Sequence, residues 1–129
     1  MTKEQYEYLA NQIFSSSLEV HKNLGPGLLE SVYEFAFLKE MELRNISAQY
    51  QVKVPLFYKG FETGKDFFID ILVDSKIIIE IKSVDMIHPV HVAQLLSYLK
   101  LFDKRLGFLI NFTVPLLKDG FKRMVNNYY

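Results

Sequence analysis

Three charged residues interrupt two strongly apolar segments of this chain, and their spacing suits the binding of a metal ion. Asp70 lies within residues 67–73, and Glu80 and Lys82 lie within residues 77–82. Apolar runs of this length are typical of core strands, where an isolated charge is costly. If the runs form a hairpin, Asp70 falls opposite Glu80, and Lys82 shares a face with Glu80 because side chains alternate along a strand.

Two facing carboxylates repel each other unless a cation lies between them. A divalent metal ion held by Asp70 and Glu80, with the ammonium of Lys82 beside it, would remove this conflict. Such an arrangement is suited to metal-dependent cleavage of phosphodiesters. A structural alternative remains open, in which either carboxylate is an edge residue or pairs with Lys82 or another lysine. The metal-site interpretation predicts that all three residues lie on one face of the sheet.

Two helical segments carry polar residues that could line such a site. Glu30 and Tyr33 are three residues apart after a Gly-Pro-Gly break, and therefore share a helix face. His91, Gln94 and Tyr98 form a polar stripe, in which Gln94 could orient a water molecule and Tyr98 could bind a phosphate oxygen. Glu30 could instead complement the helix dipole, and the stripe could be a solvated face. The functional interpretation requires both segments to face the hairpin carboxylates.

Hydrophobic periodicity predicts the element order α-α-β-β-β-α-β-α. The expected helices span about residues 3–23, 28–43, 89–102 and 116–125, and the strands about residues 49–58, 67–73, 77–82 and 106–112. Three strands in a meander, followed by a helical crossover to a fourth, predict an α/β fold. We expect a mixed four-stranded sheet flanked by helices in a single domain, residues 1–129.

Composition narrows the class of protein. The 129 residues include 15 basic and 15 acidic residues, so the formal charge is zero and no global attraction to nucleic acid is expected. Cysteine is absent, which rules out disulfides and thiolate zinc sites. No signal sequence or membrane-spanning run is apparent. We therefore expect a cytoplasmic protein that does not act on membranes.

Several motifs, in order, resemble the GxxExxY protein family, which is placed in the PD-(D/E)XK nuclease superfamily. They are Gly27-x-x-Glu30-x-x-Tyr33, Asp70, Glu80-Ile81-Lys82, Gln94-Leu95-Leu96-Ser97-Tyr98-Leu99-Lys100 and Leu109-Ile110-Asn111-Phe112. The resemblance runs from about residue 10 to residue 126. It implies a restriction-endonuclease-like core, and thus a nuclease-like domain.

The resemblance also implies roles for these residues in a Mg²⁺- or Mn²⁺-dependent nuclease. The expected metal ligands are Asp70, Glu80, Glu30 and the backbone carbonyl of Ile81, all hard oxygen donors. The expected catalytic residues are Asp70, Glu80, Lys82, Glu30 and Gln94. The expected substrate contacts are Tyr98, Tyr33 and His91.

The expected partner is nucleic acid, with DNA favoured over RNA, and a homodimer is left open. Two alternatives to a nuclease also remain open. One is a catalytically silent nucleic-acid-binding module, and the other is a protein-interaction module that uses some of the 11 Phe and 8 Tyr residues. Residues 67–69, Phe-Phe-Ile, depart from the more polar segment usual before the Asp and would narrow the approach to it.

Overall fold

The computed structural model describes residues 1–129, and its helices cover both faces of a five-stranded sheet. The elements are α1 (Lys3–Leu24), α2 (Glu30–Leu43), β1 (Ala48–Tyr58), β2 (Phe61–Val73), β3 (Ile77–Lys82), α3 (Pro89–Leu101), β4 (Leu106–Asn111) and β5 (Phe121–Val125), with a 3-10 turn at Leu117–Gly120 before β5. None of the helices has the length and apolar character needed to cross a membrane.

Local sequence explains where two helices begin. The Thr2 side chain accepts a hydrogen bond from the Gln5 backbone, and the Gln5 side chain accepts one from Thr2, which is a capping box at the start of α1. Pro89 occupies the first position of α3, where its missing N–H costs no helical hydrogen bond.

The strands follow the order β1-β2-β3-β4-β5. Only β3 and β4 run parallel, joined by the crossover through α3, and the other neighbours are antiparallel. The expected mixed α/β sheet is therefore confirmed, with five strands instead of four.

The expected closing helix at residues 116–125 is wrong. Its second half is β5, which pairs antiparallel with β4, for example Phe121 with Ile110. An unpaired edge of β4 would expose a row of backbone donors and acceptors, and β5 satisfies them. The turn into β5 needs Gly120, because a Cβ atom there would lie 2.2 Å from the carbonyl oxygen of Asn111.

The sheet separates two apolar cores. Helices α1 and α2 pack on one face, over residues that include Ile71, Ile79 and Ile81. Helix α3 packs on the other face, where Leu95 and Leu99 meet a smaller set that includes Ile78. We call these the large core and the small core. The site residues lie at one end of the sheet, between these two layers.

Candidate metal centre

The hairpin of β2 and β3 has the expected register. Val73 pairs with Ile77 and Ile71 with Ile79, and the paired register ends there, one residue before Asp70 and Glu80. The Oδ2 atom of Asp70 accepts a hydrogen bond from the backbone N–H of Ile81 at 2.9 Å. This bond fixes the carboxylate of Asp70 against the end of β3.

Strand β2 is irregular at Asp70, which simple alternation does not predict. Phe67 and Ile69 lie in the small core, whereas Ile71 and Val73 lie in the large core. All four would share one face of a regular strand, because their positions differ by even numbers. The phase of the side chains therefore reverses around Asp70.

A matching irregularity lies on β1. The pairings of Tyr50 with Ile71 and of Val52 with Ile69 flank Gln51, whose φ is +52°. A positive φ is uncommon for residues other than glycine. The backbone of β1 is therefore distorted at Gln51, which lies across from Asp70 of β2.

Glu80 is a buried carboxylate without adequate partners. Its side chain is 7% exposed, and its Oε1 atom has no hydrogen-bond partner. Burial, followed by the negative charge of Asp70, raises the pKa of Glu80 to about 9. Unpaired buried polar atoms are rare in folded proteins and call for an explanation such as a bound ion.

Lys82 supplies the cation nearest in sequence to this pair. It is half-buried at the end of β3, and none of the four salt bridges of the protein involves it. Its charge opposes the rise in the pKa of Glu80 but does not cancel it. The structural alternative, in which Lys82 forms an ion pair with Asp70 or Glu80, therefore does not describe this site.

Glu30 does not complete a three-carboxylate set. No group of three or more Asp, Glu, His or Cys side chains is close enough together to hold a metal ion. The Oε2 atom of Glu30 instead accepts a hydrogen bond from the backbone N–H of Ser83 at 3.4 Å. Glu30 thereby ties the start of α2 to the loop that leaves β3.

The donors that do come together fit Mg²⁺. This ion prefers oxygen ligands and is usually held by one or two carboxylates, with water and substrate phosphate completing its shell. Asp70 and Glu80 provide two carboxylates, and the unpartnered Oε1 atom of Glu80 is free to bind. A third protein carboxylate is not required.

Sequence reasoning missed Glu34. This residue is 7% exposed on α2, and its Oε1 atom accepts a hydrogen bond from the hydroxyl of Tyr50 at 3.1 Å. Burial, and then the charge of Asp70, raises the pKa of Glu34. The available signal was its position four residues after Glu30, which places both on one helix face.

The polar stripe of α3 is divided between the site and the helix terminus. Burial and the charge of Glu80 raise the pKa of Tyr98, and Gln94, which is exposed, opposes this shift through a hydrogen bond. Tyr98 stacks on Phe67, with ring centroids 4.2 Å apart. The Nδ1 atom of His91 accepts a hydrogen bond from the His88 backbone at 3.2 Å and so caps the helix.

Tyr33 lies inside the large core and not on an accessible surface. Its side chain is fully buried and stacks on Phe112, with centroids 4.6 Å apart. Its hydroxyl donates to the carbonyl of Gly25 and accepts from the N–H of Leu28. Tyr33 therefore holds the turn between α1 and α2, and in this geometry it has no surface with which to contact a substrate.

Comparison with known proteins identifies the family. A family model described as the PD-(D/E)XK nuclease superfamily matches residues 7–124. No curated protein and no solved structure gives a match. The matched range contains Asp70, Glu80 and Lys82, together with the whole of helices α2 and α3. The chain belongs to the PD-(D/E)XK nuclease superfamily.

Proposed function

We propose that this protein is a Mg²⁺- or Mn²⁺-dependent nuclease that hydrolyses phosphodiester bonds of nucleic acid, with DNA favoured. The observation that carries the proposal is the buried Oε1 atom of Glu80, which has no partner and lies beside a second carboxylate, that of Asp70. A stable fold gains nothing from two crowded carboxylates, whereas a cation site needs them.

Asp70 and Glu80 would hold the metal ion together with the backbone carbonyl of Ile81. A Mg²⁺ ion bound there would polarise the scissile phosphate and acidify the attacking water. The Oδ2 atom of Asp70 already accepts a hydrogen bond from the Ile81 N–H, so the carboxylate is oriented before any ion binds. An oriented ligand set needs little reorganisation during the reaction.

The remaining residues would position water and substrate. Lys82 would stabilise negative charge on the attacking water or the phosphoryl oxygens. On α3, Tyr98, whose pKa responds to the charge of Glu80, would donate a hydrogen bond to a phosphate oxygen, and Gln94 would orient water. His91, at the start of the same helix, could meet substrate only at the margin of the site, since its Nδ1 atom already caps α3.

Helix α2 would support the site from the other layer. Glu34 lies close enough to Asp70 for their charges to interact, so it is the α2 carboxylate best placed to orient water or the ligands. Glu30 would act indirectly, by holding the loop after Lys82 through the Ser83 backbone.

The test is cleavage of labelled single-stranded and duplex DNA and RNA with Mg²⁺, with Mn²⁺ and with EDTA. Cleavage that requires the metal and disappears in Glu80→Gln is the expected result. Binding without cleavage under every metal condition would contradict the proposal and favour a catalytically silent module.

A further inference from the structure

The β1–β2 hairpin is much longer than the strand beside it. Strand β3 pairs with β2 only at residues 71–73, whereas β1 and β2 stay paired as far as Tyr58 and Phe61. Residues 52–58 and 61–69 therefore form a two-stranded extension, which we call the arm. Because β2 and β3 are antiparallel, the arm projects past the end of β3 that carries Glu80 and Lys82.

One face of the arm is covered and the other is not. Val54, Phe67 and Ile69 are buried in the small core beneath α3. Lys53 and Phe68 alternate with these residues and pair across the two strands, so they point away from α3. The large core takes its buried β2 members only from residues 71 and 73, and Phe68 is 51% exposed, so this second face is open to solvent at residue 68.

The arm exposes more aromatic surface than folding requires. Its exposed aromatic residues are Phe57 (54%), Tyr58 (65%), Phe61 (77%) and Phe68 (51%). Tyr58 and Phe61 are paired at the tip, and Phe68 is two residues from Asp70 along β2. Phe61 and Phe68 are seven residues apart along β2, so the exposed rings form two separate patches, one at the tip and one near Asp70. Exposed apolar patches often mark binding surfaces.

Lysines accompany these aromatic rings. The arm and its tip contain Lys53, Lys59 and Lys65, against two acidic residues, Glu62 and Asp66. Lys53 contacts Asp66 at 3.3 Å, and because the Lys53 side chain is 64% exposed, this ion pair is screened by solvent and weak. Aromatic faces beside cations are the combination that holds single-stranded nucleic acid, by stacking on bases and by attraction to phosphates.

We propose that the uncovered face of the arm binds unpaired nucleotides, with Phe68 stacking on a base next to the phosphate held at Asp70. Two residues of strand span about 7 Å, which is comparable to the length of one extended nucleotide. Bases inside a duplex are stacked on each other and cannot reach the ring. The substrate of the proposed nuclease would thus be single-stranded or would carry an unpaired segment at the cleavage position.

This inference specifies the substrate of the proposed function, and binding in EDTA tests it without cleavage. The full chain is titrated into labelled oligothymidylate, oligouridylate and a hairpin duplex, with fluorescence anisotropy as the measurement. Tighter binding to a single strand than to the duplex is expected, and the tighter single strand identifies DNA or RNA. Phe68→Ala should raise the Kd for that strand by about fivefold or more.

Matched variants separate stacking from general effects. Phe68→Trp keeps an aromatic face and should retain binding, and Phe61→Ala should weaken binding at the tip. Tyr8→Ala removes a ring of similar exposure (59%) from α1, away from the arm, and should bind as the wild type does. Each variant is first shown to melt cooperatively.

Three results would overturn the inference: equal or tighter binding of the wild type to duplex, unchanged binding by Phe68→Ala, or arm variants that alter only the oligomeric state in light scattering. Because these titrations contain no metal ion, such failures leave Mg²⁺-dependent cleavage standing. Conversely, single-strand binding without any cleavage would contradict the proposed nuclease function and support the inference that the arm binds unpaired nucleotides.

Discussion

The carboxylates of Glu7 and Glu80 lie in two very different environments within one small protein. The Glu7 carboxylate accepts hydrogen bonds from both Nη atoms of Arg123 and from the hydroxyl of Tyr128. These contacts, Arg123 first, lower the pKa of Glu7. Glu80 has a second carboxylate as its neighbour, and burial raises its pKa to about 9.

The difference shows that the fold is able to satisfy carboxylates, yet does not satisfy Glu80. A closer approach of the Lys82 ammonium, or an amide in place of Asp70, would relieve the crowding. A conflict of this kind is expected where stability has been exchanged for function. If the contrast between Glu7 and Glu80 has this origin, changes at the Glu80 site should alter cleavage and metal binding, whereas changes at Glu7 should not.

The largest expected effect is on cleavage. Glu80→Gln removes a charged ligand while keeping the shape of the side chain, so metal-dependent cleavage should fall by about 10²-fold or more. Initial rates on the preferred oligonucleotide, across a Mg²⁺ titration, measure this loss. Glu7→Gln is the matched control, because it makes the same chemical change at a satisfied carboxylate. Equal losses in the two variants would mean that Glu80 has no special role.

Helix α2 provides the next largest effect. Glu34→Gln should lower cleavage by about tenfold, as replacement of a group that supports metal ligands usually does. Glu30→Gln should have a smaller effect, since Glu30 binds the Ser83 backbone at a long distance of 3.4 Å. The same rate assay compares them. A larger loss in Glu30→Gln would indicate that Glu30, and not Glu34, is the α2 carboxylate that supports the metal ligands.

At Asp70 we expect a gain instead of a loss, in the stability of the apo protein. Asp70→Asn keeps an oxygen for the Ile81 N–H and removes the negative charge that helps to raise the pKa of Glu80, so the buried Glu80 ionises at a lower cost. The apo protein should therefore gain about 1 kcal/mol in its free energy of unfolding, equivalent to a rise in Tm of about 3–5 °C.

Added Mg²⁺ should raise the Tm of the wild type, because an ion that binds only the folded state stabilises it. Asp70→Asn should respond much less. Thermal melts of both proteins with and without Mg²⁺ measure these quantities. An equal response would show that the ion binds elsewhere, and no response in either would favour a non-catalytic module.

Sequence patterns predicted those features of the fold that depend on residues close together in the chain. Two apolar runs around a short turn gave the register of β2 and β3, and Pro89 marked the start of α3. The order of elements up to β4 follows from the same periodicity. These features depend on neighbours in the chain, which the sequence displays directly.

Features that depend on distant contacts were not predictable. Strand β5 forms because β4 has an open edge, and its own pattern does not reveal this. The reversal of side-chain phase at Asp70 coincides with the irregularity of β1 at Gln51, a residue distant in the sequence. Glu34 and Tyr33 share a helix with Glu30, but only packing sends Tyr33 into the core and Glu34 towards Asp70.

The pH dependence of stability should also separate Glu7 from Glu80, because the two residues should act in opposite directions. The pKa of Glu7 is below the usual 4.5, so its contribution is present above that pH and is lost as the pH falls. The pKa of Glu80 is raised, so its contribution is present below pH 4.5 and is lost as the pH rises towards about 9. In metal-free melts, Glu80→Gln should therefore weaken the decline in stability between these two values.

Glu7→Gln should instead weaken the decline in acid, and by only about 0.5 kcal/mol, because its ion pair is exposed to solvent. Mg²⁺ should bind more tightly as the pH rises, since Glu80 must lose its proton to become a ligand. Melts of the wild type and the two variants from acid to alkaline pH, with and without Mg²⁺, test all three expectations. A Glu80→Gln profile that parallels the wild type would mean that Glu80 is already ionised in the folded protein. The contrast with Glu7 would then lose its physical basis.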